Sequence, residues 1–421
     1  MTTGLHVLAQ VLNWRTLAVG EPLLQEGLGM NCDFDNVIDR TNTDCYKWDA
    51  RERVFGLGDV LPMWVADMDF PSPRPVIEAI IRRAQHGVFG YPLRPASLVE
   101  AIVEWFERRH GWKIESDWLV FAPGVVPALS FSLMAFSHPG DRVIIQPPVY
   151  HPFAHIIDNS GRKVVNNQLA LRDGRYVMDY DDLERRFDPR TKLMILCSPH
   201  NPVGRVWSAE ELTRLGELCL KRDVLVLADE IHCDLLFKGV KHTPFASLSE
   251  EFAQDSLTFI APSKTFNLAG LTTSAVVIPN ARLRAGFTAV VERLGLGFSN
   301  LFGLVTWEAA CREGEGWLDE LLEYVQGNLD FLVRYVEDRI PKMRVIRPEG
   351  TYMVWLDCRD LGVDPGCLKE FMVRKARVGL NDGAMFGPGG AGFQRMNLAC
   401  PRSIVAEGLQ RIEAAVNSIQ A

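Results

Sequence analysis

Three side chains of different chemistry each follow an apolar run. Lys192-Leu193-Met194-Ile195-Leu196-Cys197 leads into Ser198-Pro199-His200-Asn201-Pro202-Val203-Gly204. Val224-Leu225-Val226-Leu227-Ala228 ends on Asp229-Glu230, and Leu257-Thr258-Phe259-Ile260 leads into Ala261-Pro262-Ser263-Lys264. An amide, a carboxylate and an amine are therefore delivered in that order. Burial disfavours a lysine's charge, and the neutral amine that results forms imines with aldehydes. Ser263-Lys264 alone suits a solvated loop equally well. The amide and the acid upstream turn the reading towards a site.

The elements that must position these groups alternate. Apolar strands are expected at 141–146, 192–197, 224–228, 257–260 and 274–278. Ser208-Ala209-Glu210-Glu211 is a capping box, and leucines at 212, 215 and 218 continue the helix it starts. Continuous Val/Ile/Leu strands between amphipathic helices predict an α/β fold with a mainly parallel sheet covered on both faces. Such sheets bind ligands beyond the carboxyl ends of their strands.

Residues 281–340 read as helical. A strand at 352–356, a helix at 366–377, a strand at 394–399 and a helix at 402–419 form a smaller α+β unit. The division expected is an N-terminal extension at 1–30, a segment at 31–70 joining the smaller unit, a large domain at 71–310 and a small one at 311–421. The extension lacks the basic start and small-residue cleavage site of a signal peptide. It reads as a partner-contacting arm, and Met30 as a possible alternative start. Gly387-Pro388-Gly389-Gly390-Ala391-Gly392 is a loop and not a phosphate fingerprint, because no helix follows it.

Composition bounds the class. The 421 residues suffice for two or three domains with a large core. Hydrophobic residues at 47% and charged ones at 23% describe a globular chain. A net charge of −8 argues against nucleic acid or an anionic membrane as partner. No apolar stretch is long enough to span a bilayer. Nine cysteines, without a C-x-x-C pair, fit reduced thiols in a cytoplasmic enzyme.

Taken together, several stretches carry a resemblance: Asn36-Val37-Ile38-Asp39-Arg40, Met63-Trp64-Val65-Ala66-Asp67-Met68-Asp69-Phe70, Gly90-Tyr91, Asn201-Pro202-Val203-Gly204, Asp229-Glu230-Ile231-His232 and Ser263-Lys264. Over residues 31–420 the chain resembles a fold-type I pyridoxal-phosphate enzyme of the class I/II aminotransferase superfamily, in its carbon–sulfur β-lyase branch. The resemblance implies an aspartate-aminotransferase-like fold, with a seven-stranded sheet in the large domain, and a homodimer with shared active sites. It implies that Lys264 holds the cofactor as an imine and later takes the Cα proton. Asp229 faces the pyridine nitrogen and Asn201 the phenolic oxygen. His232 either sits near that oxygen or is merely packed. Backbone N–H groups of Val125 and Val126, at the turn Ala122-Pro123-Gly124, and the Ser263 hydroxyl are candidates for the phosphate. Tyr150 is placed to stack on the ring, and Tyr91 to reach the neighbouring subunit's phosphate. Arg395 is the expected anchor of the substrate carboxylate. The chain departs from many aminotransferases at Gly270-Leu271-Thr272, where an arginine commonly follows the glycine.

The implied activity is β-elimination of an S-substituted L-cysteine. The alternatives are transamination, a decarboxylating or deaminating reaction on the same cofactor, and a regulatory binding role that no sequence feature marks. Asn300 and Tyr352 are candidates for the pocket of the leaving thiol.

Overall fold

The structure, a computed structural model, describes residues 32–420. The extension at 1–30, its suggested role as an arm and the alternative start at Met30 lie outside the described residues.

Seven strands make the larger sheet: β1 (Leu119–Ala122), β2 (Arg142–Ile145), β3 (Lys163–Asn166), β4 (Thr191–Cys197), β5 (Leu225–Asp229), β6 (Ser256–Ile260) and β7 (Ser274–Val277). Their order is β1-β7-β6-β5-β4-β2-β3. Every ladder from β6 to β3 is parallel, and β7 runs antiparallel to both neighbours. All five residues of β5 and of β6 are buried. This is the burial expected when helices cover both faces of a parallel sheet. The register explains the site's location. Cys197 pairs with Asp229, and Asp229 pairs with Phe259. The carboxyl ends of β4, β5 and β6 therefore stop side by side.

The expected strands are present, shifted by a residue at their ends. Sequence periodicity did not reveal β1 and β3. β1 is a run of only four residues, and β3 is an edge strand whose first residue, Lys163, is exposed. The capping box forms: the Glu211 N–H donates to Ser208 Oγ at 3.2 Å, and the Ser208 N–H to Glu211 Oε2 at 2.9 Å.

The second sheet has four strands: β8 (Arg344–Ile346), β9 (Met353–Asp357), β10 (Asn381–Asp382) and β11 (Phe393–Asn397), in the antiparallel order β8-β9-β11-β10. The helical region predicted at 281–340 resolves into Ala281–Arg293, Leu301–Glu313 and Glu315–Arg339. The last buries Leu318, Leu321, Val325, Leu329, Leu332 and Val336, a 3–4 spacing that puts one stripe against the core. The 31–70 segment reaches this sheet through its backbone. Leu61–Pro62 pairs with Val378–Gly379, the Asn397 N–H donates to Met63 O at 2.9 Å, and the Asp69 N–H donates to Ala399 O at 2.9 Å.

Candidate active site

A cavity of about 200 Å³ opens at the carboxyl edge of β4, β5 and β6. Val125, Val126, Tyr150, Asn201, Asp229, His232, Ser263 and Lys264 all line it. Arg395 lies just outside that lining and joins it through Asn201. Tyr91 is the exception. It is 86% exposed and packs on Phe298, with ring centroids 4.9 Å apart, away from the cavity of its own chain.

Lys264 sits on the single helical turn Pro262–Thr265 that follows β6. Its Nζ donates to the carbonyl of Ala66 at 2.7 Å. Burial pulls the amine down to about 8, with the nearby Asp67 carboxylate opposing and Arg395 assisting. Asp229, the last residue of β5, is pushed up to about 7 by burial, against the Ile231 N–H and the Lys264 charge. Its Oδ1 accepts from Ile231 N, at 3.2 Å. His232 is pulled down to about 3 by burial, then by Lys264 and Arg395, so its imidazole is neutral. Its Nδ1 is buried without a hydrogen-bond partner among the described residues.

Asn201 and Arg395 form a second group. Arg395 Nη1 donates to Asn201 Oδ1 at 2.9 Å. Its Nη2 donates to Asn381 Oδ1 at 2.6 Å and Trp64 O at 2.9 Å. Guanidinium can only donate, so the contact fixes the Asn201 oxygen towards Arg395 and leaves the NH₂ for the cavity. Every acceptor named for Arg395 is neutral, and its Nε has none. Burial accordingly pulls Arg395 down to about 10. A buried cation with only neutral acceptors is prepared for an anion from outside the chain.

The Asn201 turn is fixed by Gly204. At φ +72° a Cβ would come within 2.3 Å of Pro348 Cβ, so the turn packs tightly on the 348–350 loop. Gly204 O accepts from Glu349 N at 2.7 Å and Gly350 N at 3.1 Å.

The helix Val125–Phe136 begins at the cavity wall. The N–H groups of its first two residues precede the helical ladder, and Pro127 has no N–H to offer. The first N–H to bond back along the chain is that of Ala128, to Gly124 O at 3.0 Å. Thr272 also lines the cavity, with φ +43° and ψ 57°. A β-branched residue in that left-handed region is rare and is held there by its surroundings.

Sequence reasoning missed the backbone acceptors. Ala66 O receives both Lys264 and the Tyr352 hydroxyl, the latter at 3.0 Å. Its stretch is anchored on both sides. Arg40 pairs with Asp67 at 2.8 Å and Asp69 at 2.6 Å, and Lys47 pairs with Asp69 at 2.6 Å. Asn397 Nδ2 donates to the carbonyls of Val65 and Asp67 at 2.7 and 2.6 Å. A carbonyl carries no side-chain signal, so the Met63–Phe70 stretch could be noticed without its task being read. Tyr352 packs edge-on against His232, with centroids 6.2 Å apart. Asn300 instead caps the helix Leu301–Glu313, accepting from Phe302 N at 2.9 Å and Gly303 N at 3.2 Å.

These residues fit pyridoxal phosphate. An amine is available at one wall, and a buried carboxylate with no ion pair among the described residues stands ready for a ring nitrogen. Free N–H groups at a helix start suit a phosphate dianion. One cavity of this kind, at this edge of this sheet, defines a fold-type I pyridoxal-phosphate enzyme.

The chain belongs to the family described as aminotransferase class I and II, whose sequence model matches residues 59–412. It is 46% identical over 386 residues to the cystathionine beta-lyase PatB of Bacillus subtilis, covering 91% of this chain and 100% of that protein. The structure of a putative aminotransferase from Clostridium difficile 630, described as PLP-bound, superposes with a TM-score of 0.90 at 44% identity, over 92% of this chain and 100% of that one. Cystalysin from Treponema denticola, whose structure contains a pyridoxal 5'-phosphate cofactor, gives a TM-score of 0.90 at 37% identity, over 93% of this chain and 100% of that one.

Proposed function

We propose that the chain is a pyridoxal-phosphate-dependent carbon–sulfur β-lyase acting on S-substituted L-cysteines. The overall reaction consumes one water and releases a thiol, pyruvate and ammonia. The observation that carries it is the pairing, around one cavity, of a buried amine held down to about 8 with a buried guanidinium that has only neutral partners. The full-length likeness to a named cystathionine beta-lyase supports the same reading.

When bound, pyridoxal phosphate supplies an electron sink for the pair left at the substrate Cα. The chain's residues do the rest. Arg395 binds the α-carboxylate through two parallel N–H bonds and so sets the direction of the Cα–H bond. Lys264, lowered by burial to about 8 so that an appreciable fraction of the amine is uncharged near neutral pH, takes that proton and can return it to the leaving thiolate. Asp229 would hold the ring nitrogen in its protonated form, and the Asn201 NH₂ would serve the phenolic oxygen. His232 is neutral and does not compete for the negative charge. Val125, Val126, Ser263 and Thr272 would hold the phosphate. Tyr150 would cover the ring face.

The working form is a homodimer in which Tyr91 of the partner subunit reaches the phosphate. Exposure of Tyr91, Phe89, Leu93 and Phe298 on one side of the chain supports this. Residues 71–310 are assigned to the cofactor-binding domain, and 31–70 with 311–421 to the smaller one. Nine free thiols fit a cytoplasmic location. No helix among the described residues is long and apolar enough to cross a membrane.

The test is incubation of holoenzyme with cystathionine and several S-alkyl-L-cysteines, followed by pyruvate and thiol assays. Stoichiometric pyruvate and thiol support the reading. Conversion of the bound cofactor to its amine form without thiol release assigns the chain to transamination instead.

A further inference from the structure

Behind the cavity, a second buried carboxylate ties the acid-bearing turn to the amine-bearing turn. Asp234 lies five residues beyond Asp229 and is buried. Its Oδ1 accepts from His110 Nε2 at 2.9 Å and Trp105 Nε1 at 3.1 Å. Its Oδ2 accepts from the hydroxyl of Thr265 at 2.9 Å. Thr265 is itself buried and immediately follows Lys264. The Lys264 turn is only four residues long and has no side-chain cap at its start. A turn that short has little stability of its own. Its alignment must come from what holds its side chains.

We propose that Asp234 is a positioning residue that fixes Lys264 relative to Asp229, acting through Thr265. This rests on the lyase reading only for the choice of substrate. The titratable groups facing Asp234 are His110 and Arg109 on the helix Ala96–His110, Cys233 beside it and Cys311 on the helix Leu301–Glu313. Burial would raise the Asp234 carboxyl, but the His110 hydrogen bond and charge, with Thr265 and Arg109, hold it below its ordinary value. An ionised Asp234 only accepts, so His110 carries its proton on Nε2. A His110 nitrogen, the Cys233 sulfur and an Asp234 oxygen also lie within 4.8 Å of one another, a spacing that could suggest a metal. Three donors already occupy Asp234, and burial pushes the Cys233 thiol well above its ordinary value. The cluster is therefore a hydrogen-bonded node. It reaches the lysine turn through the hydrogen bond from the Thr265 hydroxyl.

Three variants test this: Thr265→Val, which removes the donor, Thr265→Ser, which keeps it, and Asp234→Asn, which removes the charge. Two readouts are taken on each holoenzyme: the pH midpoint of the bound cofactor's visible absorbance, and kcat with KM for pyruvate release. Thr265→Val and Asp234→Asn are expected to move the midpoint by about half a pH unit or more and lower kcat about tenfold, with KM within about threefold. Thr265→Ser is expected to restore both readouts. A Thr265→Val holoenzyme that titrates like wild type, with kcat within about twofold, overturns the proposal. So does failure of both Thr265→Val and Asp234→Asn to fold while Thr265→Ser folds, since the contact is then structural only. If wild type releases no pyruvate, the lyase reading fails, and the absorbance midpoints still decide the role of Asp234.

Discussion

Burial moves Lys264 and Asp229 in opposite directions, the amine down to about 8 and the carboxyl up to about 7. The two groups stand beyond neighbouring parallel strands whose ends are in register. Their ordinary values of 10.5 and 3.8 are far apart. The cavity brings them close enough for a small change in surroundings to move a proton. Such convergence is a mark of sites that transfer protons near neutral pH.

That convergence sets a pH dependence in the cofactor-free protein. Between about 4 and about 7 the folded chain holds a proton on Asp229 that the unfolded chain has lost, so this contribution to stability falls as pH rises. Between about 8 and 10.5 the unfolded chain holds a proton on its lysine that folded Lys264 has lost, so stability recovers as pH rises. Asp229→Asn removes the first slope. Thermal melts of cofactor-free protein should show the variant gaining Tm over wild type as pH goes from about 5 to about 7.5. A difference that does not change with pH contradicts the buried carboxyl.

Arg395 should be exacting about its replacement. Lysine keeps the charge but not the planar fork that holds Asn201 while presenting two parallel donors to a carboxylate. Arg395→Lys is expected to lower kcat/KM about tenfold to hundredfold, or about 1.4–2.8 kcal/mol. Steady-state kinetics with an S-alkyl-L-cysteine check this. Loss of less than about twofold would remove Arg395 from the site.

Much of this site was legible because strand ends announce themselves. Asn201, Asp229 and Lys264 follow buried runs, and their spacing in sequence becomes adjacency through the parallel register. Arg395 was legible as a charge entering an apolar strand. The rest depended on partners that leave no trace along the chain. Ala66 contributes a carbonyl, and Asn381 reaches Arg395 from a two-residue strand. Asp234 carries no signal along the chain, because its three donors come from two distant segments. Asn300 sits ahead of an apolar helix, and its side chain caps that helix.

Tyr91 supplies the test of a shared site. If it serves the partner's phosphate, Tyr91→Ala and Lys264→Ala chains have complementary defects. Equal mixing by unfolding and refolding should give heterodimers with one intact site, and pyruvate release near about a quarter of wild type. Activity no greater than the mean of the two parent variants removes Tyr91 from the partner's site.

The most direct measurement compares wild type with Lys264→Ala, each supplied with pyridoxal phosphate and cystathionine. The account predicts pyruvate and thiol in equal amounts from wild type. It predicts a fall of about a thousandfold or more in Lys264→Ala, together with loss of the visible absorbance band. Pyruvate release by Lys264→Ala at the wild-type rate would contradict the account at its centre.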